Sequence, residues 1–348
     1  MTHEFKKIIQ AIKLANKANQ KTVLATVVAV DGSSYRGAGV RMLVLESGNI
    51  VGAISGGCVE KEVVLQAESV LRSGTSKIMT YDGRFRLGCE GTLYVLLELV
   101  DLNMNQLNEI GDLLDNRIPF DISSKYYLEE GEKLMGSNLI FNGKTINLSE
   151  SASLKLSNAI NFSETLYPCF RLFIVGTEHD AASLSKASSQ LGWEVTVIAA
   201  PDSQKSLSQF PGAKYLEKLG SEAFSKLVFD SQTAVVLMSH NFAKDVLYLK
   251  ALKDKEPMYI GLLGPAKRRN QMLDAFIEYH VEVSDEFLDT IYGPAGLDIG
   301  AETPEEIAVS IISEIVAVSR NIKALHLQDK KGAIHDRGDR TLKSINEK

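Results

Sequence analysis

One strand–turn–helix–strand pattern in the second half of the sequence constrains the fold more than any other feature. It begins with a short apolar run, Leu172–Val175, which predicts a buried strand and ends at Gly176. A helical pattern follows over His179–Gln190, and a second strand is predicted over Trp193–Ile198. Elements in this order predict a parallel βαβ unit of the Rossmann type, within a doubly wound α/β sheet.

The dinucleotide-binding fingerprint of such a unit is incomplete. Where G-x-G-x-x-G or A is expected, the chain has Gly176, Glu178 and Ala181. Glu178 replaces the glycine that lets backbone approach a pyrophosphate, and it adds negative charge there. The second strand ends at Ala199 and Ala200, so the acidic residue that binds a ribose is missing from its usual place. We therefore predict a Rossmann-like fold that binds NAD(P) poorly, unless Glu178 has a task of its own.

Two later strands carry polar residues to the edge where open α/β sheets bind ligands. The strand Thr233–Met238 is followed by His240, and the strand Pro257–Leu262 is followed by Lys267 and Arg268. We take His240 as a candidate ligand contact and the two cations as candidate phosphate contacts. The alternatives stay open: the histidine caps backbone only, and the cations form a solvated first turn.

The first half contains a stretch in which strands end in turns rich in glycine and serine. Two arginines lie beside glycines there, and a Ser-Gly-Gly-Cys turn begins a helical pattern. Amide groups at a helix start attract anions, and the helix dipole favours a thiolate. These features predict a phosphate or thiolate site made by Ser33, Ser34, Arg36, Arg41, Ser55, Gly56, Gly57 and Cys58. A later loop places Cys89 between glycines as a second candidate thiol. In the plainer alternative, the glycines only make turns and the cysteines are buried.

Length and composition set the remaining limits. The 348 residues predict two domains, at about 100–200 residues each. A net charge of −6 argues against nonspecific nucleic-acid binding, and no apolar run approaches the ~20 residues of a membrane span. Three cysteines cannot pair completely and the N-terminus lacks a signal-peptide core, which predicts a cytoplasmic location.

We place a mixed α/β domain at residues 1–165, with an extension over 101–160, a Rossmann-like domain at 170–326 and a polar tail at 327–348. Strands are predicted near residues 119–128 and on both sides of the turn at Asn142 and Gly143. Residues 151–161 are weakly helical in pattern, and residues 161–168 are interpreted as a linker.

Motifs in both halves resemble those of one known family. The first half contains GSSYRGAGVRM, GAISGGCVE and LGCEG, and the second contains LFIVGTEHDAASLSKASSQLGWEVTV, MSHNFAKD, YIGLLGPAKRR and YGPAGLDIGAETPEEIAVSI. Together they resemble the xanthine dehydrogenase accessory protein (XdhC/CoxI) family. The last motif is long and specific. Where Glu178 and Glu90 stand, that family usually has glycine, and it usually has an Asp near Ala199 and Ala200.

The resemblance implies a maturation factor for a xanthine dehydrogenase-type molybdenum hydroxylase, an accessory protein more than a catalyst. Such a protein binds the molybdenum cofactor (molybdopterin) transiently and hands it to the apo-enzyme. Arg36, Arg41 and the Ser55–Gly57 turn would then bind the phosphate, and Cys58 or Cys89 would approach the metal. The implied partners are the apo-enzyme, a cysteine desulfurase as a further candidate, and a second copy in a homodimer, with no nucleic acid and no membrane.

Two other classes stay open. One is an NAD(P)-dependent oxidoreductase that uses the Rossmann domain and His240 as its acid or base, against which Glu178 argues. The other is a scaffold that links a sulfurase to its target without holding cofactor. Nicotinamide titration tests the first, and copurification of cofactor tests the second.

Overall fold

A computed structural model describes residues 2–32, 34, 36–83, 91–153, 157–279 and 283–330, with only the backbone described at Cys58 and Ser153. The chain divides into two compact units. The first is formed up to Pro168 together with the segment from Leu327 onward, and the second is Cys169–His326. No helix in the described ranges is long and apolar enough to cross a membrane.

The first unit is a mixed α/β structure with two antiparallel sheets. Its helices are α1 Thr2–Lys17, α2 Cys58–Ser73 and α3 Met104–Asp115. Its strands are β1 Thr22–Asp31, β2 Arg41–Leu45, β3 Ile50–Gly52, β4 Lys77–Asp82, β5 Thr92–Leu99, β6 Phe120–Tyr126, β7 Gly131–Glu132, β8 Gly136–Phe141, β9 Lys144–Asn147 and β10 Ile160–Leu166. The larger sheet has the order β3-β2-β1-β5-β4-β7, and the smaller has the order β10-β6-β8-β9.

The central strand β1 is buried on both faces, which explains its unbroken apolar sequence. Val23 and Ala25 pack with α2 residues such as Val63, while Leu24 packs with Ile8 of α1. Neighbouring residues of a strand point to opposite faces, so one strand serves two cores.

The second unit is a Rossmann-like α/β domain. Its strands are β11 Arg171–Val175, β12 Glu194–Ala199, β13 Ala213–Lys218, β14 Thr233–Leu237, β15 Tyr259–Leu262 and β16 Ile291–Tyr292. Its helices are α4 His179–Gln190, α5 Ser221–Phe224, α6 Phe242–Ala251, α7 Ala266–Tyr279, α8 Asp285–Asp289 and α9 Pro304–Ser319. All strand pairs are parallel, in the order β13-β12-β11-β14-β15-β16. This is the 3-2-1-4-5-6 order of the dinucleotide-binding fold, and it confirms the predicted fold class.

Helices cover both faces of this sheet. Residues of α4 and α9 pack on one face with Ile174 and Val236, and residues of α6 and α7 pack on the other with Val175 and Leu237. The start of α9 carries residues typical of a helix N-terminus. Thr303 and Glu306 form a capping box, with Pro304 as the first helical residue.

The interpretation of residues 161–168 as a linker is wrong. Ile160–Leu166 is the strand β10, which pairs antiparallel with β6. Its inward positions are Phe162, Glu164 and Leu166. The carboxylate of Glu164 interrupts the alternation of apolar and polar residues that is typical of a half-buried strand. The strand is therefore not predicted from the sequence pattern. In the described part of residues 151–161, the predicted helical pattern corresponds to a short 3-10 turn, Glu150–Ser153, and to the start of β10.

Candidate functional site

The first βα turn of the Rossmann-like unit fits glycine only. Gly176 has a φ of 145°, and a Cβ there would lie 2.3 Å from the carbonyl oxygen of Met238. The ends of β11 and β14 therefore approach each other closely at this point. The start of α4 is thereby brought beside the loop that follows β14.

A cavity of about 320 Å³ opens at this edge of the sheet. It is lined by Val175, Gly176, Thr177, Glu178, Ile198, Ala200, Ser239, His240, Asn241, Lys244 and Tyr248. These residues come from the carboxyl ends of β11, β12 and β14 and from α6. The strand order reverses between β11 and β14, and open α/β folds bind their ligands at such a switch point.

His240 is presented to this cavity by a left-handed backbone conformation, with a φ of 56°. Its Nε2 lies 3.1 Å from Oδ2 of Asp180 in α4, and about half of its side chain is exposed. The next residue, Asn241, caps α6 by accepting a hydrogen bond from the Lys244 amide. The N-cap residue of α6 is thus Asn241 and not His240.

Arg268 lies beside the cavity residues but is bound within the protein. Its Nη2 donates to Oδ2 of Asp245 at 2.7 Å, and Asp245 is 1% exposed. The Ser239 hydroxyl donates to the other oxygen of Asp245 at 2.5 Å. Arg268 thus neutralises a buried carboxylate that fixes the loop after β14. Lys267, by contrast, is exposed in the first turn of α7.

Two charged side chains in the cavity lining are not engaged by other described residues. Glu178 precedes α4 as its N-cap residue, with an extended backbone, but its side chain makes no capping hydrogen bond. Glu178 and Lys244 are both exposed, and neither forms an ion pair within the described ranges. Lys244 is not among the site residues predicted from the sequence. Its position in the first turn after a strand end was the available signal.

In the first unit, the predicted turn before α2 is organised by Glu60. The carboxylate of Glu60 accepts from the amides of Ile54 and Ser55 and from the Ser55 hydroxyl, at 2.6–3.0 Å. Ser55 Oγ in turn accepts from the amides of Gly57 and Val59. Burial acts to raise the pKa of Glu60, but the hydrogen bonds from Ser55 and Ile54 outweigh it and lower the pKa. A protein carboxylate therefore already occupies part of the predicted anion site.

Both predicted arginines of this unit are paired with carboxylates. Arg36 binds both oxygens of Glu4 at 2.8 Å and the Ala53 carbonyl oxygen at 2.6 Å. Arg41 and Glu164 form a buried pair with an N–O distance of 2.5 Å, and their side chains are 4% and 0% exposed. Neither acidic partner is among the site residues predicted from the sequence.

The structure describes some, but not all, of the remaining predicted residues of the first unit. Ser33 and Cys89 lie outside the described residues, and Ser34 is partly buried in the irregular segment after β1. Gly56 and Gly57 are exposed, and Gly57 has a φ of 121° as the N-cap of α2. Cys58 is the first residue of that helix, as expected, while its side chain is not described. In the described ranges, no three His, Cys, Asp or Glu side chains gather as metal ligands would.

The structure is that of a two-domain α/β protein with a cavity at the carboxyl edge of a Rossmann-like sheet, and comparisons identify its family. Residues 172–315 match the model of the XdhC Rossmann domain, and residues 15–82 match that of the XdhC and CoxI family. The chain belongs to the XdhC and CoxI family.

Similar proteins match this chain over nearly its whole length. A protein of Bacillus subtilis (strain 168), named as a probable subunit of xanthine dehydrogenase, is 28% identical over 87% of this chain and 94% of its own length. The molybdenum cofactor insertion chaperone PaoD of Escherichia coli (strain K12) is 23% identical over 91% of this chain and 90% of its own. A crystal structure from Bacillus halodurans, described as a xanthine dehydrogenase, matches with a TM-score of 0.75 and 29% identity, covering 90% of this chain and 96% of that chain.

Proposed function

We propose that this protein binds the molybdenum cofactor and inserts it into a xanthine dehydrogenase-type enzyme. The observation that carries the proposal is the match to the insertion chaperone PaoD, which covers 91% of this chain and 90% of that protein. A match of this extent includes both compact units. The proposal therefore does not depend on the Rossmann fold alone, which hosts many unrelated activities.

In this proposal the first unit binds the phosphate of the cofactor near the start of α2. Gly56 and Gly57 are exposed there, and the helix dipole favours both an anion and a thiolate at Cys58. Arg36 joins the phosphate only by leaving Glu4. Binding then exchanges one anion for another, and this suits a cargo that must be released again. The approach of Cys58 or Cys89 to the metal stays a prediction.

The proposed partners follow from the cargo. An apo xanthine dehydrogenase-type enzyme receives the cofactor, and a cysteine desulfurase is the candidate source of sulfur during maturation. A homodimer and a cytoplasmic location belong to the same proposal. Copurification from cells tests the two protein partners. The mass of the purified protein in solution tests the homodimer.

The decisive experiment is purification of the full chain from cells grown with molybdate. We expect molybdenum and pterin to copurify and to pass to an apo-hydroxylase, whose activity then appears. Bound molybdenum is measured by mass spectrometry, and pterin by the fluorescence of its oxidised form. A protein that holds neither, and that does not raise the activity of the apo-enzyme, would contradict the proposal.

The second candidate is an NAD(P)-dependent oxidoreductase, which the strand order of the second unit favours. Glu178 argues against it, because a carboxylate at the first βα turn repels a pyrophosphate. Calorimetric titration with NAD and NADP decides between the two. We expect weak binding by the natural chain and stronger binding after Glu178→Gly. Tight binding by the natural chain would favour the oxidoreductase.

A further inference from the structure

The cavity at the switch point of the second unit combines one unengaged acceptor with one unengaged donor. Among the described residues, one carboxylate lines this cavity, that of Glu178, and two others contact residues that line it. Asp180 contacts His240, and Asp245 is bound by Ser239 and Arg268. The third, Glu178, is exposed in the cavity lining without such a partner in the described ranges, and Lys244 lines the same cavity.

The negative charge at the first βα turn does not suit a diphosphate. Glu178 stands at the turn that holds a pyrophosphate in dinucleotide-binding domains, and Asp180 follows in the first turn of α4. Arg268, which lies beside the cavity residues, is committed to a buried carboxylate. A ligand that fits this edge must instead offer hydrogen-bond donors to a carboxylate.

The cavity walls define the rest of the ligand. Val175 and Ile198 are buried strand residues that form an apolar floor, and the hydroxyl of Tyr248 is occupied by the Leu219 carbonyl. A volume of about 320 Å³ lies at the small end of the range of roughly 300–1,000 Å³ for ligand sites. A flat heterocycle with polar groups along one edge matches this combination of apolar floor and two charges.

We propose that this cavity binds the 2-amino-4-oxopyrimidine ring of a pterin. The ring N–H and the amino group would donate to the two oxygens of Glu178, and the oxo group would accept from Lys244. This pairing uses both unengaged charges and leaves neither without a partner. The inference rests on the proposed function, since it names the part of the cofactor that the second unit recognises. Guanine nucleotides present the same donor–donor–acceptor edge.

The test is a titration of the full chain with pterin-6-carboxylate, guanosine and lumazine. Lumazine has an oxo group in place of the 2-amino group, so it removes one donor and keeps the ring system. We expect pterin-6-carboxylate to bind at least about tenfold more tightly than lumazine, as for a good bidentate pair. Tighter binding of guanosine than of pterin would identify a guanine nucleotide as the source of the same ring.

Two variants assign the effect to the cavity. Glu178→Gln keeps the shape of the side chain but turns one acceptor into a donor, and Lys244→Met removes the ammonium group. We expect each to weaken pterin binding at least about tenfold. Glu222→Gln, at an exposed position in the first turn of α5, is the matched control and should bind as the natural chain does.

Molybdenum retention separates failure of this inference from failure of the proposed function. If lumazine binds as well as pterin, or if Glu178→Gln binds pterin unchanged, the inference is overturned, even when the natural chain retains molybdenum. If pterin binding depends on Glu178 while the chain never retains molybdenum, the inference stands and the cofactor function fails.

Discussion

The predicted anion site of the first unit and the cavity of the second unit use their charged side chains in different ways. In the first unit, the arginines that lie beside glycines in the sequence are tied to Glu4 and Glu164, and the turn before α2 is held by Glu60. In the second unit, the cavity leaves Glu178 and Lys244 exposed and unengaged by other described residues. Acidic and basic side chains thus stabilise the fold at the predicted site of the first unit, whereas in the cavity of the second unit they are available to bind a ligand.

This difference shows that a motif does not reveal which of its charges are available. A charge removed from water must be paired, so a buried arginine in a glycine-rich stretch is first of all a structural requirement. An exposed and unpaired charge in a cavity has no such requirement. Substitutions in the first unit should therefore change stability, and substitutions in the cavity of the second should change binding.

The largest effect is expected for the buried pair of the first unit. Arg41→Met should lower the free energy of unfolding by about 3–5 kcal/mol, because it removes the guanidinium that pairs with the buried carboxylate of Glu164. The double variant Arg41→Met with Glu164→Leu should recover most of that loss, since it removes both charges. Denaturant unfolding of the three proteins measures this. If Arg41→Met unfolds like the natural chain but loses cofactor, Arg41 contacts the ligand and the contrast between the units fails.

Glu60 should have the next largest effect. Glu60→Ala removes a carboxylate that accepts three hydrogen bonds, and we expect a loss of about 1.5–3 kcal/mol in the free energy of unfolding. The pKa of Glu60 is lowered in the fold, so its contribution is present above the ordinary Glu pKa of about 4.3 and disappears as the pH falls through the lowered value. Unfolding measured from neutral to acid pH tests both parts. A cost that is the same at all pH values would show that shape, not charge, matters here.

The Rossmann-like unit could be predicted from the sequence because its signals are local. Continuous apolar strands, a Gly176 turn and the capping box at Thr303 each lie within a few residues. The strand β10 could not be predicted in the same way. Glu164 occupies one of the inward positions of β10. The arginine that pairs with Glu164, Arg41, lies in β2.

The site could be predicted only in part, for the same reason. Sequence patterns located the glycine turns, the arginines and His240. They could not show that Arg36 pairs with a residue 32 positions away or that Arg41 pairs with one 123 positions away. Pairings over such distances depend on how sheets pack, and this information is absent from a local pattern.

A further test of the first unit uses Glu98, which is fully buried in β5. Burial raises the pKa of Glu98, although hydrogen bonds from the Ser137 hydroxyl and amide, at 2.5 and 2.8 Å, act against it. The folded state therefore keeps this proton to higher pH than the unfolded state does. The contribution of Glu98 to stability is complete below the ordinary Glu pKa of about 4.3 and declines as the pH rises toward the raised value.

The matching variant is Glu98→Gln, which cannot titrate. As the pH rises from about 4 to 8, its free energy of unfolding should increase relative to that of the natural chain. Equal pH dependence of the two proteins would mean that Glu98 ionises as easily inside the fold as outside it. The ionised carboxylate of Glu98 would then cost little free energy in the interior of the first unit, and the first unit would not need to pair its buried charges.

The smallest expected effect concerns the backbone of His240 in the second unit. A residue other than glycine in the left-handed region is strained, and the φ of 56° persists here because the surrounding loop fixes it. His240→Gly and His240→Ala both remove the contact with Asp180, but only glycine relieves the strain. We expect the glycine variant to be more stable than the alanine variant by about 1 kcal/mol, measured by denaturant unfolding. If the alanine variant is equally stable, the loop adjusts without cost. A relaxed loop would mean that the histidine is presented without backbone strain, and that Asp180 alone keeps the ring beside the cavity.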